Sequence, residues 1–211
     1  MIPTILFLHI LSGVAALGAA GLALGSAKGG PLHRRAGGVF VAGMLFAGAS
    51  ALVLAVANPS GFLFAVGVFT LFLVFSGWRA GRLRDGRPRW PDHAAGAAMT
   101  LAGLGMLGWG LQGFAAGDGA QPAILIVFGA IGLTLALADW RDWRTGPVTG
   151  KPRIVRHLSR MMAGTIAAVT AAGVVNLGFL PDLVVWLGPT ALITPVIFWW
   201  AGRVMRGTVR T

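Results

Sequence analysis

The stretch Trp78-Arg79-Ala80-Gly81-Arg82-Leu83-Arg84-Asp85-Gly86-Arg87-Pro88-Arg89-Trp90-Pro91-Asp92-His93 decides the fold. Its five arginines separate two apolar runs, residues 61–78 and 94–114. At 1.5 Å rise per residue, either run as a helix crosses a hydrocarbon core of about 30 Å. Cationic connections resist translocation, so the segment marks one side of a membrane. Working outward, further apolar runs at 5–24, 36–57, 123–140, 158–178 and 183–200 bring the number to seven. All 17 Lys and Arg residues follow the odd-numbered runs: Lys28, Arg34 and Arg35; Arg79 to Arg89; Arg141 to Arg160; then Arg203, Arg206 and Arg210. The turns at Asn58-Pro59-Ser60, Gly117-Asp118-Gly119 and Pro181-Asp182 carry none. The expected fold is an all-α integral membrane protein of seven transmembrane helices. It forms a single domain over 1–211, with Met1 outside and the C-terminus cytoplasmic.

Composition removes several function classes. Charged residues are only 11% of the chain, against about a quarter in soluble domains. A net charge of +11 would suit nucleic acid if the bases lined a soluble face. Here they flank membrane-length runs, so their expected partners are the bilayer and its anionic headgroups, and no nucleic acid. Cysteine is absent, which excludes disulfides, thiolate metal sites and cysteine nucleophiles. Glutamate is absent as well, and no Asp is expected in the middle of an apolar run. A proton- or sodium-driven carrier normally uses an intramembrane carboxylate, so that class is disfavoured. The run 5–24 lacks a basic leader and is longer than the ~7–15 residues of a signal-peptide core, so it reads as a retained first span.

The spans differ in character. The first, second, fourth and sixth are rich in Gly, Ala and Ser, with small residues four apart at Gly21/Gly25, Gly43/Ala47/Ala51 and Ala163/Ala167/Ala171. Such spacing lets helix backbones approach closely. The third, fifth and seventh are bulkier, with Phe62, Phe64, Phe69, Phe72 and Phe75 in the third alone. The expectation is therefore four inner helices (1, 2, 4, 6) with three outer ones (3, 5, 7). Segments 31–82, 91–144 and 155–206 also share a pattern, opening with His33, His93 or His157 and closing with Trp and Arg. They are either hairpin repeats or simply two-span hairpins with common boundary chemistry. Pro189 and Pro195 interrupt the donor series of the last span.

The four histidines are the residues best suited to chemistry. His33, His93 and His157 each open an inward-starting span at the basic boundary, whereas His9 lies near the opposite face. Positive helix N-termini keep imidazole neutral and able to coordinate. The three form a candidate ligand set for one haem b or one divalent metal. Asp92 would be an outer partner of His93, with Met161 and Met162 as thioether alternatives. Two bis-His haems are excluded, since the fourth imidazole stands alone at the other depth. A zinc hydrolase could find enough ligands, but no paired-His helix motif or neighbouring Glu base accompanies them. The competing explanation is ordinary interfacial histidine beside lipid phosphate.

The stretches His9-Ile10-Leu11-Ser12-Gly13 and Lys28-Gly29-Gly30-Pro31-Leu32-His33-Arg34-Arg35-Ala36-Gly37, with Met44, resemble a bacterial membrane-protein family, domain of unknown function 2306. His157-Leu158-Ser159-Arg160-Met161 resembles the same family's His-x-x-Arg-Met stretch at a late helix start. The resemblance is sharpest over the first two spans. It implies a multi-pass protein of the bacterial inner membrane and singles out His9, His33, Arg34, His157 and Arg160. The leading functional expectation is a non-catalytic accessory protein that binds lipid, a small ligand or a larger membrane complex. Haem- or metal-dependent redox chemistry is the alternative, followed by a zinc-dependent hydrolase or a transporter.

The charge alternation generates a direct test, aided by the cysteine-free background. In intact Gram-negative cells, a membrane-impermeant maleimide should label Asp118→Cys and leave Arg84→Cys unlabelled until lysis. Labelling of Arg84→Cys in intact cells would reverse the orientation.

Overall fold

The computed structural model describes residues 2–208; Met1 and Arg210, both used in the orientation argument, lie outside the described residues. Seven helices and no strands make up those residues: α1 (Ile2–Gly25), α2 (Pro31–Ala57), α3 (Gly61–Arg82), α4 (Trp90–Ala116), α5 (Gln121–Thr145), α6 (Gly150–Asn176) and α7 (Asp182–Arg206). All seven are long and apolar enough to cross a membrane.

The helices outrun their apolar segments, most of all at the basic end. α6 begins at Gly150 although its apolar run begins at 158, and α5 continues to Thr145 past the end of its run at 140. Arg and Lys are good helix formers, so the helix need not stop where hydrophobicity does. Starts and stops are set by backbone chemistry. Pro31 and Pro91 occupy first-turn positions, where the missing N–H costs nothing. Gly117 and Gly207 end α4 and α7 with φ of 78° and 76°, a left-handed turn that glycine adopts without strain. The extra turns of α6 matter most. They put Arg153, His157, Arg160 and Gly164 at helical spacing on one face.

That face meets α3. The third helix packs against α2, α4, α5 and α6, so it is not the outer helix its phenylalanines suggested. Phe69 and Phe72 are buried, and Phe69 stacks on Phe128 of α5 at 5.3 Å between ring centroids. The physical reason lies in the glycine-rich neighbours: Met99 and Phe69 occupy the space beside Gly132 where a Cβ would stand. Bulky side chains here fill notches between helices rather than facing lipid. By contrast α1, expected inside, packs chiefly on α2 and is largely exposed along its length. Neither Gly21 nor Gly25 has a neighbour within 4 Å, so that pair is not a packing notch. Gly43 is one: its missing Cβ would lie 2.9 Å from the Ser12 carbonyl oxygen and 3.2 Å from Ala16 Cβ.

α4 and α5 approach closely through glycines seven apart on one face of α4, Gly103 and Gly110, with Gly129 opposite. α7 lies at the periphery against α6, with lighter contact to α5, and stays helical through both Pro189 and Pro195. The resulting bundle is apolar on its flanks, as lipid contact requires. Its polar side chains gather at the basic end, where α3, α5 and α6 converge.

Candidate functional site

A notch on α3 creates the site. Gly77 and Gly81 lie one turn apart on the face that receives α6. A Cβ on Gly77 would stand 2.8 Å from Arg160 Cβ, and one on Gly81 would stand 2.7 Å from His157 Nδ1. Because both are glycine, α6 settles close enough for its polar side chains to reach groups on α3 and α5. His157 Nδ1 donates to the Gly77 carbonyl at 2.8 Å. Arg153 Nη1 donates to the carbonyls of Ala80 (2.8 Å) and Gly81 (3.1 Å).

Arg160 and Asp139 form the floor, and each is only 3% exposed. The guanidinium grips the carboxylate with two bonds, Nη1 to Oδ2 at 3.1 Å and Nη2 to Oδ1 at 3.0 Å. Arg160 also donates to Ser76 Oγ (2.6 Å) and the Leu135 carbonyl (3.0 Å), and stacks 4.9 Å from the Phe72 ring centroid. Ser76 passes its own hydrogen to the Phe72 carbonyl at 2.6 Å. A buried ion pair is tolerable only when so fully partnered, since each ion gives up its hydration on leaving water.

Two further pairs lie above the floor. Arg156 bridges Asp142 and Asp139, the latter at 3.5 Å. Arg79 holds Asp92 through Nε (2.8 Å) and Nη2 (2.6 Å), while Asp92 also accepts from the Arg89 backbone and so caps the start of α4. Asp92 is therefore the partner of Arg79, rather than of His93 as expected. The segments between α3 and α4 and between α5 and α6 meet as a roof, where Val148 N–H donates to the Gly86 carbonyl at 3.3 Å. Gly86 has φ of 65° and its missing Cβ would overlap Val148, so only glycine fits. Beneath the roof is a half-open cavity of about 40 Å³, lined by Arg79, Arg87, Arg153, Arg156, Asp92 and Asp139, with Phe72 and Trp143 on its apolar wall.

The expected histidine set does not assemble. His33 and His157 come together, their ring centroids 6.5 Å apart and nearly perpendicular. His93 stands elsewhere, packed on Trp143 (4.6 Å) and Trp140 (5.6 Å). Its helix begins beside α5 rather than α2, which draws it away from the other two. Among the described residues no group of three His or Asp side chains is arranged to hold a metal ion. The methionines are packing residues: Met161 presses on the Gly77 notch and Met162 joins Ile166 and Ile197 in the core.

His33 Nδ1 donates to the Ala23 carbonyl at 3.0 Å, at the unsatisfied end of α1. Lys28 closes the same end, donating to Leu24 (2.6 Å) and Ser26 (2.8 Å) carbonyls, and burial pushes its ammonium pKa down. His9 lies toward the other end of the bundle, its Nδ1 3.0 Å from both the Ala47 carbonyl and Ser50 Oγ, tying α1 to α2. Arg34 is exposed on α2. Of the residues expected to matter, Arg160, His157 and Asp92 belong to the polar network at this end. Asp139, Arg156, Arg79, Ser76 and the two α3 glycines were missed. A helical signal existed for some of them: Asp139 and Asp142 lie three apart, as do Arg153 and Arg156, with Arg160 four further on. It goes unread if the helices are taken to end with their apolar runs.

The chain matches no family model, no curated protein and no solved structure.

Burial separates the two aspartates of α5. Asp139→Asn leaves Arg160 charged, buried and without its counter-ion, and should cost about 3–5 kcal/mol. Asp142→Asn, whose partner Arg156 keeps Asp139 nearby, should cost about 1 kcal/mol or less. Unfolding in mild detergent measures both. Equal losses would mean that Asp139 is not the buried counter-ion of Arg160.

Proposed function

We propose that the chain is a multi-pass protein of the bacterial inner membrane, with its N-terminus outside and its basic end in the cytoplasm. We further propose that it is a non-catalytic accessory protein binding a small ligand or lipid at that end. The orientation rests on the charge alternation, and the bacterial setting on the resemblance to domain of unknown function 2306. The binding reading rests on one observation: the cavity above Arg160–Asp139 combines four guanidinium groups, two carboxylates and an aromatic wall. A few convergent polar groups in an otherwise apolar setting are what a ligand site requires. The exposed apolar faces of α1 and α7 are surfaces on which lipid, or a larger membrane complex, would lie.

A second reading, redox chemistry at a bound haem or metal, has its own support in the pair His33 and His157. Both rings spend Nδ1–H on backbone carbonyls, which in the neutral form leaves Nε2 as the free coordinating nitrogen. Against it, both rings are held by main-chain carbonyls, and among the described residues no carboxylate is bonded to either.

One preparation distinguishes the two. Protein stripped of lipid in mild detergent should be stabilised by at least one fraction of a membrane and small-molecule extract, by about 2.7 kcal/mol at a hundredfold excess over Kd. Failure of every fraction to move the unfolding midpoint would sink the binding reading. A Soret band or stoichiometric metal, lost on His157→Ala, would establish the second.

A further inference from the structure

Building on the ligand-binding reading above, we infer that the cavity between the 83–89 and 146–149 segments recognises a phosphate group, with Arg87 and Arg153 as its principal contacts.

Around the cavity, side-chain donors outnumber the acceptors that face them. The two carboxylates that line the cavity, and the main-chain carbonyls that Arg153 reaches, are already engaged. Asp139 takes Arg160 and Arg156, Asp92 takes Arg79 and the Arg89 N–H, and the Ala80 and Gly81 carbonyls take Arg153. Donors remain. A guanidinium carries five N–H groups. Arg79 spends Nε and Nη2 on Asp92, leaving Nη1. Arg153 spends only Nη1, leaving Nη2 and Nε. Arg87 lines the cavity, and among the described residues its side chain makes no hydrogen bond and no ion pair. Neither Arg87 nor Arg153 has a carboxylate partner among the described residues, whereas Arg79, Arg156 and Arg160 all do. The cavity therefore presents surplus N–H groups and surplus positive charge.

Those surpluses call for a compact anion rich in acceptors. Phosphate supplies several oxygens and matches the planar guanidinium fork. A metal cation is excluded by the charge. The cavity opens to the outside, and its guanidinium-lined interior suits the phosphate end of a ligand. The rest of the ligand would lie beyond the roof. That roof is joined at the Gly86–Val148 bond, so modest parting of the two segments admits the group. The site stands at the arginine-rich end of the bundle, where lipid phosphates would lie. A phospholipid headgroup and a free phosphate compound share this chemistry.

The test uses the full-length protein, with thermal unfolding as one readout and, as the other, the change in tryptophan fluorescence that is lost on Trp143→Phe, since that indole lines the cavity. One arm titrates inorganic phosphate in detergent, against chloride at matched ionic strength to remove general screening. The other compares nanodiscs of phosphatidylglycerol with nanodiscs of a phosphate-free galactolipid. The expected result is a saturable response to phosphate, to phosphatidylglycerol, or to both. Response in the first arm identifies a free phosphate compound, and response in the second alone identifies a headgroup. Arg87→Ala and Arg153→Ala should each weaken the apparent affinity about tenfold, the loss of one charge-assisted bond. Arg35→Ala, exposed on α2, should leave it unchanged. Arg87 is an exposed residue of the 83–89 segment, so its removal does not threaten folding. Equal weakening by Arg35→Ala would show diffuse attraction to a basic surface and overturn the proposal. So would stabilisation by extract components that contain no phosphate, which would leave the ligand-binding reading standing. Silence toward extract and phosphate alike would remove both.

Discussion

The bond between Arg160 and Asp139 governs the architecture of the basic end. Two unit charges withdrawn from water cost several kcal/mol each, and their attraction offsets this only when geometry and secondary hydrogen bonds are near complete. Here they are: a two-bond grip, the Ser76 hydroxyl, the Leu135 carbonyl and the Phe72 ring together use the guanidinium. These partners come from α3, α5 and α6, so the pair fixes the register of all three at once. Sliding α6 by a single turn, about 5.4 Å, would separate every one of these contacts. Gly77 and Gly81 belong to the same constraint, because a side chain at either would hold α6 off.

From this floor the remaining polar groups follow in layers. Arg156 touches Asp139 from above and carries the network outward to Asp142. Arg79 with Asp92 links the end of α3 to the start of α4, and Gly86 with Val148 joins the two segments that cover them. The opposite end of the bundle has a far smaller polar device, His9 with Ser50 between α1 and α2. The asymmetry has a simple physical origin. Side chains that must keep their charge are held where water and headgroups are within reach, and helices extended past their apolar runs deliver them there.

Much of the fold was legible from hydropathy and charge, because a bilayer imposes length and composition on each span separately. The seven helices follow from runs such as 61–78 and 94–114 read one at a time. Packing order was not legible. Phenylalanine suits lipid and interhelical notches equally, and only the absence of a side chain at Gly132 leaves Phe69 room to turn inward and stack on Phe128. The site was half visible. Arg160 stood out, yet its partner Asp139 lay at the end of an apolar run, where a carboxylate reads as a boundary residue. His33, His93 and His157 share a level in the sequence but not a place in space, because depth along a helix says nothing about which neighbour that helix has.

The central claim is that Arg160 and Asp139 act as one buried unit. A double-mutant cycle in mild detergent tests it most directly, using Asp139→Leu, Arg160→Met and the double variant. If the two are paired, each single replacement strands a charge, while the double replacement strands none. The double variant should then be more stable than the summed single losses require, with a coupling of about 2 kcal/mol or more. Strictly additive losses would contradict the pairing and, with it, the register assigned to α3, α5 and α6.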